Sequence, residues 1–234
     1  MPEGTVLILA LDTAGDACSA CVFDAGASRV VAERSEAMAR GHAEALFPMI
    51  KALLAEARLA PGALAAVAVT TGPGSFTGVR VGLAAAKGLG LSVGRPVLGV
   101  TTLEALAEPV LGRGRPVLVV LDARRGELFV ALFGANGAVL GAPAAVTPHD
   151  LAAFVEAAGG SGGGLVAVGS GAALAAEILG PVVARQDAAA VPGIGAVARI
   201  AARRLGAPDT APPVPLYLRG ADAKPQLGFA LPRA

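Results

Sequence analysis

The chain has 234 residues, with 19 basic side chains against 18 acidic ones, so no global field favours a polyanion and any nucleic-acid contact must be local or shared with a partner. Mean hydropathy is +0.65, but 54 residues are alanine and aromatics make up only 3%, so the apolar excess comes from small side chains. The charge-free runs Leu59 to Val79 and Leu128 to His149 are long enough to span a bilayer, yet Gly and Pro interrupt both, which excludes transmembrane helices.

A chain of this length buries roughly 70% of its unfolded surface, enough for one large or two small cores. The start, Met1-Pro-Glu-Gly4, has no basic n-region, and the apolar run Val6 to Leu11 is too short for a signal peptide, so a cytoplasmic protein without membrane attachment is expected.

Strands are predicted over Val6 to Leu11, Cys18 to Phe23 and near Arg29 to Arg34, with a turn at Asp12 to Asp16. Cys18 and Cys21 form a C-x-x-C, but three residues apart on a strand they point to opposite faces, which reads as structural rather than redox cysteines. A helix is predicted from His42 to Arg58: Leu46, Phe47, Ile50, Leu53, Leu54 and Ala57 recur at helical spacing, Glu44, Lys51 and Arg58 mark the other face, and Pro48 lies near its first turns. A strand (Ala65 to Thr71), a Gly-rich loop (Gly72 to Gly78), a helix (Val79 to Ser92), a strand (Val97 to Val100) and a helix from Thr102 to before Pro109 follow.

From Pro116 the opening pattern recurs. The strand Pro116 to Asp122 ends in Asp as Val6 to Asp12 does, a polar turn leads to the strand Glu127 to Phe133, and Asn136-Gly137 is a hairpin turn. A helix (His149 to Ala158), a glycine spacer (Gly159 to Gly164), a strand (Leu165 to Val168), a helix (Gly171 to Leu179) and a helix from Val191 to Leu205 complete it. The repeat implies duplicated β-β-β-α units in a mixed α/β chain, the architecture of the actin-like ATPase (ASKHA, ribonuclease H-like) fold. Expected units are residues 1–110, residues 111–206 and a Pro-rich extended tail over 207–234, the tail holding six of the 17 prolines.

The most specific feature is the loop Thr70-Thr-Gly-Pro-Gly-Ser-Phe-Thr-Gly-Val-Arg80 between a strand and a helix. It lacks the Lys-Ser/Thr of a Walker loop and the spacing of a dinucleotide loop. Gly72, Gly74 and Gly78 fit either a phosphate-binding nest, with Asp12, Thr13, Ser75 and Asp122 nearby, or a tight strand-to-helix packing turn. Gly78, Gly82, Ala86 and Gly90 form a small-residue stripe on the following helix, which suits close approach either of the chain's own sheet or of a partner helix.

These residues also carry a resemblance. Ile8-Leu-Ala-Leu-Asp-Thr13, Gly41-His-Ala-Glu-Ala-Leu-Phe-Pro48, Gly72-Pro-Gly-Ser-Phe-Thr-Gly-Val-Arg80, Gly99-Val-Thr-Thr-Leu-Glu104, Asp122-Ala-Arg124 and Pro215-Leu-Tyr-Leu-Arg219 resemble the TsaB (YeaZ) family. That family is the bacterial dimerization subunit for making threonylcarbamoyladenosine (t6A) in tRNA. The resemblance implies a non-catalytic subunit that pairs with the catalytic paralogue TsaD, with the TsaE ATPase joining and tRNA reached through the complex. It places the partner contact on the two helices of the first half, for which the amphipathic face and the small-residue stripe offer Leu46, Ile50, Leu53, Val79, Gly82, Leu83 and Ala86. The same faces are expected to form a homodimer in isolation. No tightly bound cofactor is expected; ATP or ADP is assigned to the interface of the complex.

The catalytic paralogue carries a metal-binding Asn-His-Leu-Glu-Gly-His segment where this chain reads Thr101-Thr-Leu-Glu-Ala-Leu106. Thr102 and Leu106 therefore replace both imidazoles, and neither suits iron or zinc, so no catalytic metal site is expected. A hydrolase built on Ser75 and His42 has no base committed to the serine. The reading that competes with a scaffold is an autonomous ATPase or phosphotransferase using Asp12 and Asp122, carboxylates at the ends of equivalent strands. Arg199, Arg203 and Arg204 form a basic edge on the last helix, read as a solvated face or a tRNA contact.

Overall fold

Apolar residues at consecutive positions near the start of the chain fit a strand buried on both faces, and the computed structural model shows one. It describes residues 5–162, 164–187, 189–207 and 211–219. Strand β1 (Leu7–Gly15) pairs antiparallel with β2 (Ala17–Asp24), and β2 with β3 (Arg29–Ala37). Helix α1 (His42–Glu56) leads to β4 (Leu64–Thr70), α2 (Phe76–Val93), β5 (Val97–Val100) and α3 (Thr102–Ala107). The second half repeats the order: β6 (Val117–Asp122), β7 (Leu128–Phe133), β8 (Val139–Val146), α4 (Leu151–Ala157), β9 (Leu165–Val168), α5 (Ala172–Leu179), β10 (Val183–Asp187) and α6 (Ile194–Arg204).

The strand orders are β3-β2-β1-β4-β5 and β10-β9-β6-β7-β8, equivalent sheets read in opposite directions. In each, the first three strands form an antiparallel meander and the rest join in parallel. This is the duplicated actin-like fold. The turn expected at Asp12 to Asp16 is instead mostly strand: β1 continues to Gly15 with an irregularity after Asp12. The polar residues there remain buried because Ala14 N–H donates to Asp12 Oδ1 (2.9 Å) and the Thr13 hydroxyl donates to Gly78 O (2.7 Å).

On the first sheet, Leu7, Leu9, Leu11, Cys18 and Val22 face α1 and α2, while Ile8, Ala10, Cys21 and Phe23 face α6. The two cysteines thus lie on opposite faces, both free and buried. On the second sheet, Leu118, Val120 and Leu128 face α4 and α5, while Val117, Val119 and Phe133 face α3. The helix that ends each half therefore covers the sheet of the other. Chain order places α6 within 111–206, but its packing partner is the first sheet.

Local signals explain the helix starts. Ser75 caps α2, accepting from Gly78 N–H (3.3 Å), and Thr101 with Glu104 forms a capping box at α3. Among the described residues no helix is long and apolar enough to cross a membrane. The tail over 211–219 forms neither helix nor strand, bends at Leu218 and Arg219, and packs on the body, with Leu216 N–H donating to Thr71 O (2.8 Å). The rest of the expected tail unit, 208–210 and 220–234, lies outside the described residues.

Candidate functional site: a cleft between the sheets

The strand ends β1 and β6 face a cleft of about 560 Å³ between the two halves. Its walls include Ala14, Gly15 and Asp16 from the end of β1, Pro73 to Ser75 from the Gly-rich loop, and Asp122 to Arg124 with Ser170 from the second half. Gly74, Ser75 and Asp122 all line this cleft. Asp12 and Thr13 lie deeper, fully or almost fully buried.

The glycine loop resolves in favour of packing. A Cβ at Gly74 would stand 2.2 Å from Ala14 O, and one at Gly78 would stand 2.0 Å from Thr13 O. Ser75 N–H donates to Ala14 O (2.7 Å), so the loop lies directly on the end of β1. Gly72, at φ +92°, holds the turn out of strand β4, and its carbonyl accepts from Thr102 N–H (2.8 Å). The glycines are therefore used for backbone contact within the chain, and Ser75 Oγ is used as a helix cap.

The small-residue stripe decides in the same way. A Cβ at Gly82 would meet Thr13 Oγ1 at 2.6 Å, and one at Gly90 would meet Val97 Cγ2 at 2.5 Å, so α2 lies close on its own sheet. Leu46, Ile50, Leu53, Val79, Gly82, Leu83 and Ala86 are all buried within the chain, so none of the seven presents its side chain to a partner. The physical reason is that one apolar stripe per helix is consumed by the sheet beneath it. The outward faces of α1 and α2 carry Phe47, Lys51, Phe76, Arg80, Lys87 and Leu91; Leu91 is 85% exposed and Phe47 is 52% exposed.

Asp12 is a poor candidate for holding a cation. Its Oδ1 accepts from Thr70 Oγ1 (2.5 Å) and Ala14 N–H (2.9 Å), and Oδ2 has no partner. Burial pushes its carboxyl above the ordinary 3.8, outweighing those two hydrogen bonds and the charge of His42. A raised folded-state pKa means that its stabilising contribution is full below about pH 3.8 and is lost as pH rises through the folded-state value. Asp12→Asn should therefore raise Tm at pH 8 by roughly a few degrees, with the gap to the unaltered chain closing toward pH 4; a lower Tm at pH 8 would refute this account of the carboxylate.

Asp122 differs: it is exposed, its N–H donates to Ser170 Oγ (2.9 Å) and its Oδ1 accepts from Arg124 N–H (2.7 Å). The two aspartates that looked equivalent in sequence are thus one core residue and one turn former. His42 lines the cleft, with Nε2 at 3.1 Å from Gly15 O rather than turned to Ser75. Arg199 and Arg204 are not a free basic edge: they pair with Glu108 (2.7 Å) and Glu104 (2.5 Å), which leaves Arg203 the more exposed member. Cleft residues without a site role in the sequence reading include Arg40, Phe129, Ser170 and Val191, the last expected to open a helix that instead begins at Ile194. Among the described residues no three His, Cys, Asp or Glu side chains are grouped so as to hold a metal ion.

Comparison with known proteins supplies the remaining frame. Residues 28–146 match a family model described as TsaD, tRNA N6-adenosine threonylcarbamoyltransferase. An uncharacterised protein of Mycobacterium tuberculosis is 38% identical over 218 residues, 93% of this chain and 94% of that one. The Escherichia coli protein called tRNA threonylcarbamoyladenosine biosynthesis protein TsaB is 37% identical over 126 residues, 53% of each chain. The solved structure of YeaZ from Pseudomonas aeruginosa superposes with a TM-score of 0.76 at 27% identity, covering 91% of this chain and 100% of that one. Relatives named TsaB and the superposition on YeaZ, with a TsaD family model matched over half of the chain, agree: the chain belongs to the TsaB (YeaZ) family.

Proposed function

We propose that this chain is the non-catalytic partner subunit that supports a TsaD-like paralogue in forming threonylcarbamoyladenosine in cytoplasmic tRNA, with a TsaE-like ATPase joining the pair. The observation that carries this reading is the use made of residues 101–106. Thr101 Oγ1 caps α3, Glu104 closes the capping box and pairs with Arg204, and Leu106 lies in the core of the second half. Of the two positions where the catalytic paralogue carries imidazoles, Leu106 lies in the core and Thr102, at the cleft, offers only a buried hydroxyl without a hydrogen-bond partner, and neither suits a metal ion. The competing autonomous ATPase loses support from Asp12, whose carboxyl is fully buried and bonded to Thr70 and Ala14, which closes it to a hydrated cation.

With the inner stripes of α1 and α2 consumed by the sheet, a partner on these helices meets Phe47 and Leu91, large apolar side chains left exposed. The double variant Phe47→Asp and Leu91→Asp should fold with unchanged circular dichroism but fail to co-purify with the paralogue. In cells depleted of the native chain it should leave tRNA without t6A by nucleoside analysis, while Asp12→Asn restores the modification. An intact complex from the double variant would overturn the docking assignment, and t6A persisting after depletion would overturn the function.

A further inference from the structure

The chain passes between the halves twice in its body, from β5 into α3 and from β10 into α6. Helices α3 and α6 lie against each other between the sheets, tied by Glu108 to Arg199 and by Glu104 to Arg204. Two bodies joined along such a line keep one soft freedom, the angle that opens or closes the cleft. Across the cleft mouth Arg124 and Asp16 approach to 3.7 Å, but both are largely exposed and water screens the pair.

Residues 211–219 make a third crossing, and their anchors are of a different kind. On the first half, Leu216 N–H donates to Thr71 O (2.8 Å), and Pro213 packs so tightly on Gly99 that a Cβ there would meet it at 2.9 Å. Tyr217 accepts from Arg80 Nε (2.8 Å) and stacks near Phe76, their ring centroids 5.5 Å apart. On the second half, Leu218 packs against the cluster under α3, and Arg219 Nη2 donates to Ala123 O (3.2 Å) and Arg124 O (3.3 Å) and pairs with Glu127. Ala123 and Arg124 belong to the β6–β7 turn at the rim of the cleft, so the anchor lies at the rim rather than at either body crossing. A segment rich in proline has little freedom to lose on docking, which suits it to a fixed span.

We propose that residues 211–219 are a strap that fixes the angle between the two halves and with it the width of the cleft. The first half holds the strap through the carbonyl of Thr71, the second through the two turn carbonyls gripped by Arg219. Because Tyr217 sits in the same strap, the outward face of α2 at Phe76 and Arg80 is mechanically joined to the cleft rim.

Spin labels on Ala84→Cys (α2) and Glu156→Cys (α4), both exposed positions on opposite halves, report the angle as a distance distribution. The native thiols stay unlabelled: burial, with Glu36 and Asp12 nearby, pushes Cys18 up to about 11, and burial, with Glu33 nearby, pushes Cys21 up to about 12. The unaltered strap should give one narrow distribution. Arg219→Ala, which frees the second-half anchor, and Leu216→Pro, which removes the donor to Thr71, should each widen it at least about twofold with unchanged circular dichroism. An unchanged width in Arg219→Ala would overturn the proposal. So would loss of secondary structure in Arg219→Ala, since the segment would then be part of the core; if Leu216→Pro alone fails to fold, Arg219→Ala decides.

Discussion

Gly78→Ala is expected to destabilise the chain by about 3 kcal/mol or more, a large share of the 5–15 kcal/mol that holds a typical domain. The added Cβ would stand 2.0 Å from Thr13 O and 3.2 Å from the carbonyl carbon, both backbone atoms of a buried central strand. Thr13 follows directly on Asp12, which is paired with β2, and Ala14 N–H is held by Asp12 Oδ1, so the strand cannot withdraw freely, and moving the helix instead breaks the Thr13 hydroxyl bond to Gly78 O. Gly88, further along the same helix, makes the control: nothing lies within 4 Å of a Cβ there, and the position is exposed. Gly88→Ala should stabilise by about 0.5–1 kcal/mol through helix propensity. Urea unfolding followed by circular dichroism measures both, and a Gly78→Ala midpoint equal to that of the unaltered chain would show that the loop is not pinned on β1. Bulky residues at Gly82 belong with Gly78, because they strike Thr13 and damage the fold before any interface.

The next largest effect is expected at Glu108. Both of its oxygens accept from Arg199, Nε at 2.9 Å and Nη2 at 2.7 Å, and Arg203 approaches at 3.5 Å. This two-point pair ties α6, on the first sheet, to the turn after α3, on the second. Burial alone would raise the carboxyl, but the hydrogen bonds and charge of Arg199, with Arg203, outweigh it and hold it below the ordinary 4.5. Glu108→Ala should cost about 1–2 kcal/mol, less than a fully buried pair because Arg199 remains 38% exposed. A lowered folded-state pKa makes this contribution full above about pH 4.5 and lost as pH falls through the folded value. The stability gap between Glu108→Ala and the unaltered chain should therefore shrink on acidification below pH 4.5, and a gap that grows instead would refute the assignment.

How far the sequence reaches depends on how a residue's neighbours are chosen. Central strands buried on both faces, such as Leu165 to Val168, are readable because continuous apolar runs have few other uses. Edge strand β10 escapes notice, and β8 is announced only by the hairpin turn at Asn136-Gly137 and the repeated unit, without a range of its own: it is half-exposed, carries Pro143 and has little apolar contrast. The amphipathic faces of α1 and α2 are legible as faces, but periodicity marks an apolar stripe without saying what covers it. Here the chain's own sheet does, and the surface left for a partner holds Phe47, which the pattern counted in the apolar face, and Leu91, which it did not single out. Asp12 and Asp122 occupy equivalent strand ends, yet only contacts remote in sequence, Thr70 for one and Ser170 for the other, separate a buried acid from a turn former. The cleft is likewise assembled from segments distant in the chain, which is why Arg40, Phe129 and Val191 carry no local signal.

The crossed-over helices α3 and α6 have a consequence for how such a molecule arises. One β-β-β-α-β-α-β-α unit alone would leave one face of its sheet bare, because its own last helix is directed away from it. Two copies exchanging that helix about a two-fold axis satisfy each other, which is domain swapping in a closed dimer. Joining the copies into one polypeptide makes the exchange permanent and releases each sequence to diverge. Cutting the present chain between α3 and β6 should therefore give fragments that are each insoluble but fold when mixed.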